Sequence, residues 1–155
     1  MDEKLSHLKV IVFNLGDEEY AVPVDSVGSI ERLQHITYVP NTPAFVKGVI
    51  NLRGVVTPII DLRQRFDLEP AEYTERSRII VVSVEDKEVG MIVDGANDVV
   101  DLDVNEIERA PEVVGSVEED FIQGVAKVEN RLLVLLNLER VLATEQFEKR
   151  ETFEA

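Results

Sequence analysis

The sequence predicts a mainly β protein: two tandem copies of one small β unit, each with about five short strands, plus short helical turns and a C-terminal helix. Three observations carry this. Runs of β-branched and aliphatic residues fall in pairs around turn residues. The pairs recur in the same order at fixed offsets. A sustained 3.6-residue period is confined to the end of the chain. A β unit this small hides its edges best by closing into a barrel.

The first hairpin joins residues 10–13 and 20–24 through Gly16-Asp17-Glu18-Glu19. The second joins 49–52 and 55–60 through Arg53-Gly54, with Gly54 supplying a positive φ. The third joins 79–84 and 89–93 through Glu85-Asp86-Lys87, and the fourth 124–128 and 132–136 through Glu129-Asn130-Arg131. Residues 10–33 align without gaps on 79–102 at an offset of 69, where Asp17/Asp86, Glu19/Glu88, Val24/Val93 and Asp25/Asp94 coincide. Residues 45–66 align on 121–142 at an offset of 76, where Phe45/Phe121, Gly48/Gly124, Val49/Val125 and Leu62/Leu138 coincide. The copies span about 8–68 and 77–142, with Glu69-Pro70-Ala71-Glu72 as linker.

Helix is minor. Thr42-Pro43-Ala44-Phe45 reads as the start of one turn, and residues 61–66 as another. Ser116 and Glu119 fit a capping box. The longer helix spans 137–149, with Leu138, Val141, Leu142 and Phe147 facing the barrels.

Composition narrows the function. The 155 residues make one domain, or two very small ones, and 45% are apolar, enough for a core without staples. Cysteine is absent, which excludes disulfides and thiol chemistry. His7 and His35 lack ligand spacing, so no zinc site is expected. The net charge of −15 and the absence of tryptophan argue against nucleic acid and anionic lipid as partners. The excess of acid lies beyond residue 66: residues 1–66 hold 8 acids and 7 bases. The near-neutral part is expected to supply apolar contact, and the acidic part solubility or a face for a basic partner. The longest aliphatic run, residues 132–136, is far short of a membrane span. The N-terminus has no basic start or apolar core, so no signal peptide is read and a cytoplasmic protein is expected.

Three constellations touch on chemistry. Asp101, Asp103, Asn105 and Glu112 mimic a calcium loop, but Glu106 stands where that loop needs glycine. A polar loop capping a short helix fits as well. Asp25 and Asp94 are equivalent in the two copies, as the dyad of an aspartic protease would be. Their contexts, Val-Asp-Ser-Val and Val-Asp-Gly-Ala, lack that family's turn, and a turn residue ending each strand accounts for both. No phosphate loop and no nucleophile–base pair occurs. The sequence argues for binding rather than catalysis, with no cofactor. The copies differ at Arg53, which has no basic counterpart and is placed as a bidentate donor beside apolar strands.

The run 48–63, with Asn51-Leu52-Arg53-Gly54 at its centre, resembles the signature of the chemotaxis coupling (CheW-like) family. Residues 13–20, 40–45, 89–94 and Ala110-Pro111-Glu112 resemble it too, so the likeness spans about 8–145. The resemblance implies two five-stranded SH3-like barrels and no catalytic activity. It implies a scaffold that links the cytoplasmic tips of chemoreceptors to the regulatory domain of the histidine kinase CheA. Other CheW-like domains are further partners within arrays, no direct membrane insertion is involved, and the free protein is expected to be a monomer. Val27, Gly48, Arg53 and Val99 match positions of the receptor-facing groove and its support. Glu112 and Val113 match a second contact face for the kinase or another CheW-like domain. Where the family often carries an aromatic, Val113 buries less area, a loss of ~1 kcal/mol. Some members pair the arginine with an acid at the position of Ser29. Glu31, two residues on along the same strand face, is expected to take that role here. The chain ends soon after the second copy, so no fused receiver domain is expected.

Overall fold

The computed structural model describes residues 6–109 and 119–143. In the first part of the chain, strands β1 (His7–Leu15), β2 (Glu18–Pro23), β3 (Val27–Arg32), β4 (Val46–Leu52) and β5 (Val55–Asp61) lead to the single-turn helix α1 (Leu62–Arg65). Strands β6 (Arg78–Val84), β7 (Lys87–Val93), β8 (Gly95–Asp103), β9 (Ile107–Glu108), β10 (Ile122–Val128) and β11 (Arg131–Leu136) lead to a second, α2 (Leu138–Val141).

All four hairpins form, and each closes through two residues. The last pairs are Leu15↔Glu18, Leu52↔Val55, Val84↔Lys87 and Val128↔Arg131. Three turns are thus tighter than the sequence suggests. Positive φ at Gly16, at Glu85 and Asp86, and at Glu129 matches the chain to the twist of its strands.

Sheet membership crosses the repeat. The six-stranded sheet has the order β8-β1-β2-β11-β10-β9, and the five-stranded sheet β3-β6-β7-β5-β4. The first hairpin of each copy therefore sits among the later strands of the other, so residues 8–68 and 77–142 do not each close on themselves. The cause is parallel pairing of β2 with β11 and of β5 with β7. Ala21 meets Leu135, and Gly90 meets Ile59. Offsets of 69 and 76 carry one pair onto the other, so the sequence repeat is also a repeat in space. Since each sheet draws on both halves, the acidic excess of the second half is not confined to one barrel.

Each sheet curls around a cluster of its own. Val10, Val12, Ala21, Leu102, Ala126, Leu133 and Leu135 fill one, with Ile107 of β9 against it. Ile50, Leu52, Ile59, Ile79, Val81 and Ile92 fill the other. The six-stranded sheet brings both edge strands, β8 and β9, into one cluster, and in the five-stranded sheet Leu33, just after edge strand β3, packs with Ile50 and Leu52 of edge strand β4; a flat sheet would do neither, so these are barrels. Between them lies a third, larger cluster that includes Phe13, Tyr20, Ile80, Met91, Phe66, Phe121, Val134 and Leu136. Alternate residues of β6 and β11 face a barrel interior and this shared layer. Burial on both faces is why the sequence shows continuous runs there rather than alternation.

Both helices start at an equivalent cap: Asp61 accepts from Gln64 N–H, and Asn137 from Arg140 N–H. Two helix expectations need correction. In place of a helix start at 42–45, residues 43–46 form a single turn closed by Val46 N–H on the Pro43 carbonyl. The helix at 137–149 ends at Val141, where Arg65 donates to the carbonyls of Val141 at 2.7 Å and Arg140 at 3.1 Å. Residues 144–149, Phe147 among them, and Ser116 of the capping box lie outside the described residues. Arg65 is itself buried, its guanidinium 4.6 Å from the ring centres of both Phe45 and Phe121.

Replacing Arg65 with Met leaves those carbonyls without a charged donor. The expected loss is about 1.5–3 kcal/mol, read as a lower denaturation midpoint in urea at unchanged slope.

Candidate partner-binding surface

Strands β3 and β4 are the two edges of the five-stranded sheet, so the seam of that barrel lies between them. On one side, Thr37 and Val49 exchange both backbone hydrogen bonds, at 2.8 and 2.9 Å. Gly48 permits this approach: a Cβ there would lie 2.0 Å from the Thr37 carbonyl oxygen, and its φ is +143°. Gly48 thus supports the surface from behind.

The β4–β5 turn spans the seam higher up. Arg53 takes φ +52° and Gly54 φ +87°, the two positive values a tight hairpin turn needs, so the positive φ is not confined to the glycine. Asn51 steadies the turn by accepting from Gly54 N–H at 2.8 Å. Arg53 then reaches across to the opposite edge, where Nη1 donates to Glu31 Oε2 at 3.3 Å. Glu31 therefore meets Arg53 as expected from its strand face, while Ser29 makes no bond to it. The contact is a single hydrogen bond rather than a bidentate one, and the Arg53 side chain is 68% exposed.

Four exposed apolar residues pair across the repeat. Val99 on β8 is 59% exposed, and its counterpart Ile30 on β3 is 42% exposed. Their strand neighbours, Ile11 and Ile80, belong to or pack on the layer between the barrels, as Val27 does. Val56 and its counterpart Leu132 are exposed as well. Sequence reading singled out Val27 and Val99 but missed Ile30, Val56 and Leu132. The offset of 69 carries Val99 onto Ile30 and that of 76 carries Leu132 onto Val56, but nothing in the sequence marks which of these aliphatic residues stay exposed.

The six-stranded barrel is closed at the equivalent end by a polar network that sequence reading also missed. Arg131 donates to both carboxylate oxygens of Glu19, each at 3.0 Å, and to both of Asp98, at 2.9 and 3.1 Å. Asn97 adds a donor to Glu19 at 2.9 Å. Hydrogen bonding to Arg131 holds the Glu19 and Asp98 carboxyls below their ordinary values, against a smaller opposing effect of burial.

Three acids of the enzyme and metal readings, Asp94, Asp101 and Asp103, have other contacts. Burial works to raise the Asp94 carboxyl, but the Arg63 guanidinium at 2.5 Å and Gly16 N–H at 2.6 Å outweigh it and lower its pKa. Asp25 is exposed on a short 3-10 turn and shares no hydrogen bond with Asp94. Asp103 accepts from Asn105 N–H, and Asp101 lies beside His7 and Lys9. Among the described residues, no group of three or more His, Asp or Glu side chains is placed to hold a metal ion. Glu112 and Val113 lie outside the described residues.

Two interlocked barrels with exposed apolar strands around a shared layer define a binding scaffold. The CheW-like domain family model matches residues 9–146. The chain is 48% identical to the chemotaxis protein CheW of Bacillus subtilis over 137 residues, 88% of each chain. It is 38% identical to that of Klebsiella aerogenes over 136 residues, 88% of this chain and 82% of the other. The crystal structure of the scaffolding protein TtCheW from Thermoanaerobacter tengcongensis superposes with a TM-score of 0.82 at 34% identity, covering 86% of this chain and 91% of that one. The chain belongs to the CheW-like domain family.

Two outcomes follow from this geometry. A double-mutant cycle on Arg53→Ala and Glu31→Ala should give a coupling of about 0.2–1 kcal/mol, small because the pair is screened; no coupling would detach Glu31 from Arg53. The Glu19 and Asp98 carboxyls have lowered folded pKa values. Their stabilisation is therefore complete above the ordinary values of 4.5 and 3.8 and lost as pH falls through the lowered ones. Arg131→Gln should cost about 1 kcal/mol near neutral pH and flatten the fall in stability below pH 4.5, as measured by urea unfolding across pH.

Proposed function

We propose that this chain is a non-enzymatic scaffold that couples chemoreceptors to the histidine kinase CheA. The observation that supports it most is the family match over residues 9–146 with the Asn51–Gly54 turn intact. In this reading a receptor's helical tip lies on the surface around Val27, Ser29, Glu31, Arg53 and Val99, with Gly48 behind it. Apolar residues exposed along strands suit a helix whose own apolar side chains recur every three to four residues. The kinase regulatory domain, or another CheW-like domain, packs at Glu112 and Val113. The scaffold does no chemistry: it holds the kinase in register with receptors, so that a shift in the receptor biases the kinase. The working location is the cytoplasm, beside the membrane through its partners; no helix among the described residues is long and apolar enough to cross one.

Co-sedimentation with receptor tips and a CheA-type kinase tests this. Wild type should carry kinase into the receptor pellet. Arg53→Ala and Val99→Arg, both at exposed positions, should lose about tenfold in recruitment while remaining folded, with thermal midpoints within a few degrees of wild type. A wild-type chain that never joins the complex would mean that the same fold serves another partner.

A further inference from the structure

The network that closes the six-stranded barrel has a counterpart in the five-stranded one from which every partner of the carboxylate has been removed. Glu88 stands where Glu19 stands, and the aligned offsets place Gly28 at the position of Asn97, Ser29 at Asp98 and Val55 at Arg131. The strand registers agree: Ser29 lies opposite Val81 as Asp98 lies opposite Val12. The carboxylate also keeps its place. Glu88 Oε2 lies 3.9 Å from where a Cβ on Gly28 would be, just as Glu19 lies beside Asn97. Yet among the described residues no hydrogen bond or ion pair engages Glu88, and Val55 is 54% exposed.

In one barrel these positions hold a guanidinium supplied by the chain itself. In the other they offer the carboxylate, a serine hydroxyl and an exposed valine, with no cation. Arg131 shows what fits: a planar donor that meets a carboxylate at two points. Val55 gives the methylene stem of such a side chain an apolar surface to lie on. The site also adjoins Arg53 through Gly54, beside the surface assigned above to a helical tip.

We propose that the mouth of the five-stranded barrel, formed by Glu88, Ser29 and Val55, receives an arginine side chain from the docked helical tip of a chemoreceptor. The partner would thereby complete a network that the other barrel completes internally. This rests on the coupling reading and adds to it the chemistry of one contact.

The probe is a helical-hairpin fragment of a receptor tip, titrated against the full chain at two salt concentrations. Glu88→Gln should weaken binding about threefold to tenfold and make what remains less sensitive to salt. Val55→Arg should rebuild the internal plug, so its thermal midpoint holds or rises while tip binding falls at least as far. Val55→Leu should bind like wild type. An alanine scan of the tip should find one arginine whose loss is not additive with Glu88→Gln. If wild type binds the tip and both Glu88→Gln and Val55→Arg bind equally well, or no tip arginine couples to Glu88, the arginine site is overturned and the coupling reading stands. If wild type does not bind the tip, the coupling reading fails and takes this inference with it.

Discussion

A buried guanidinium joins the two halves of this protein. Arg65 lies between Phe45 and Phe121, residues that the repeat makes equivalent, and it donates to the last carbonyls of α2 from the other copy. A charge taken out of water is costly unless it is hydrogen-bonded and its field is answered. Here the answer comes from two aromatic faces and from the negative end of a helical turn. Phe45 belongs to the same copy as Arg65, but Phe121 and both carbonyls are lost to it if the halves part. Separation would expose the shared apolar layer and strip Arg65 of its carbonyls together, which favours unfolding as one cooperative unit.

The exchanged hairpins serve the same end. Parallel pairing of β2 with β11 and of β5 with β7 places residues of both copies at the centre of each sheet. Ile79 and Val81 then face a barrel interior while Ile80 and Val82 face the shared layer. Gly90 fits at the crowded point, where a Cβ would lie 2.6 Å from the Ile59 side chain. Its counterpart in the other barrel is Ala21, so the two parallel contacts share a register without sharing side chains.

On this duplicated frame, the copies diverge most in chemistry at the surface. Most core positions differ in size but not in kind, the exceptions being buried Thr57 and Arg65, which correspond to Leu133 and Val141 in the repeat. The surface positions differ in chemistry: Arg53 faces Glu31 where the other copy has Glu129, and Val55 stands free where the other has Arg131. One barrel seals its mouth with a network of four side chains, while the other leaves a carboxylate and an apolar shelf toward solvent.

Much of the architecture was legible in the residues. Turn chemistry and strand patterning act over a few residues, so the four hairpins and the helical turn after Asp61 could be read locally, while Glu31 beside Arg53 was reached through the family resemblance. The two offsets were legible because duplication preserves spacing. The sequence by itself determined the β class, the repeat and the Asn51–Gly54 turn. Tertiary structure alone decided which hairpin joins which barrel, since self-contained and exchanged pairings bury the same alternating residues and differ only in long-range contacts. It alone decided that Ile30, Val56 and Leu132 stay exposed, because the same side chains would suit a core. It alone brought Glu19, Asp98 and Arg131 together, because these three residues lie on separate strands and meet only when the sheet curls.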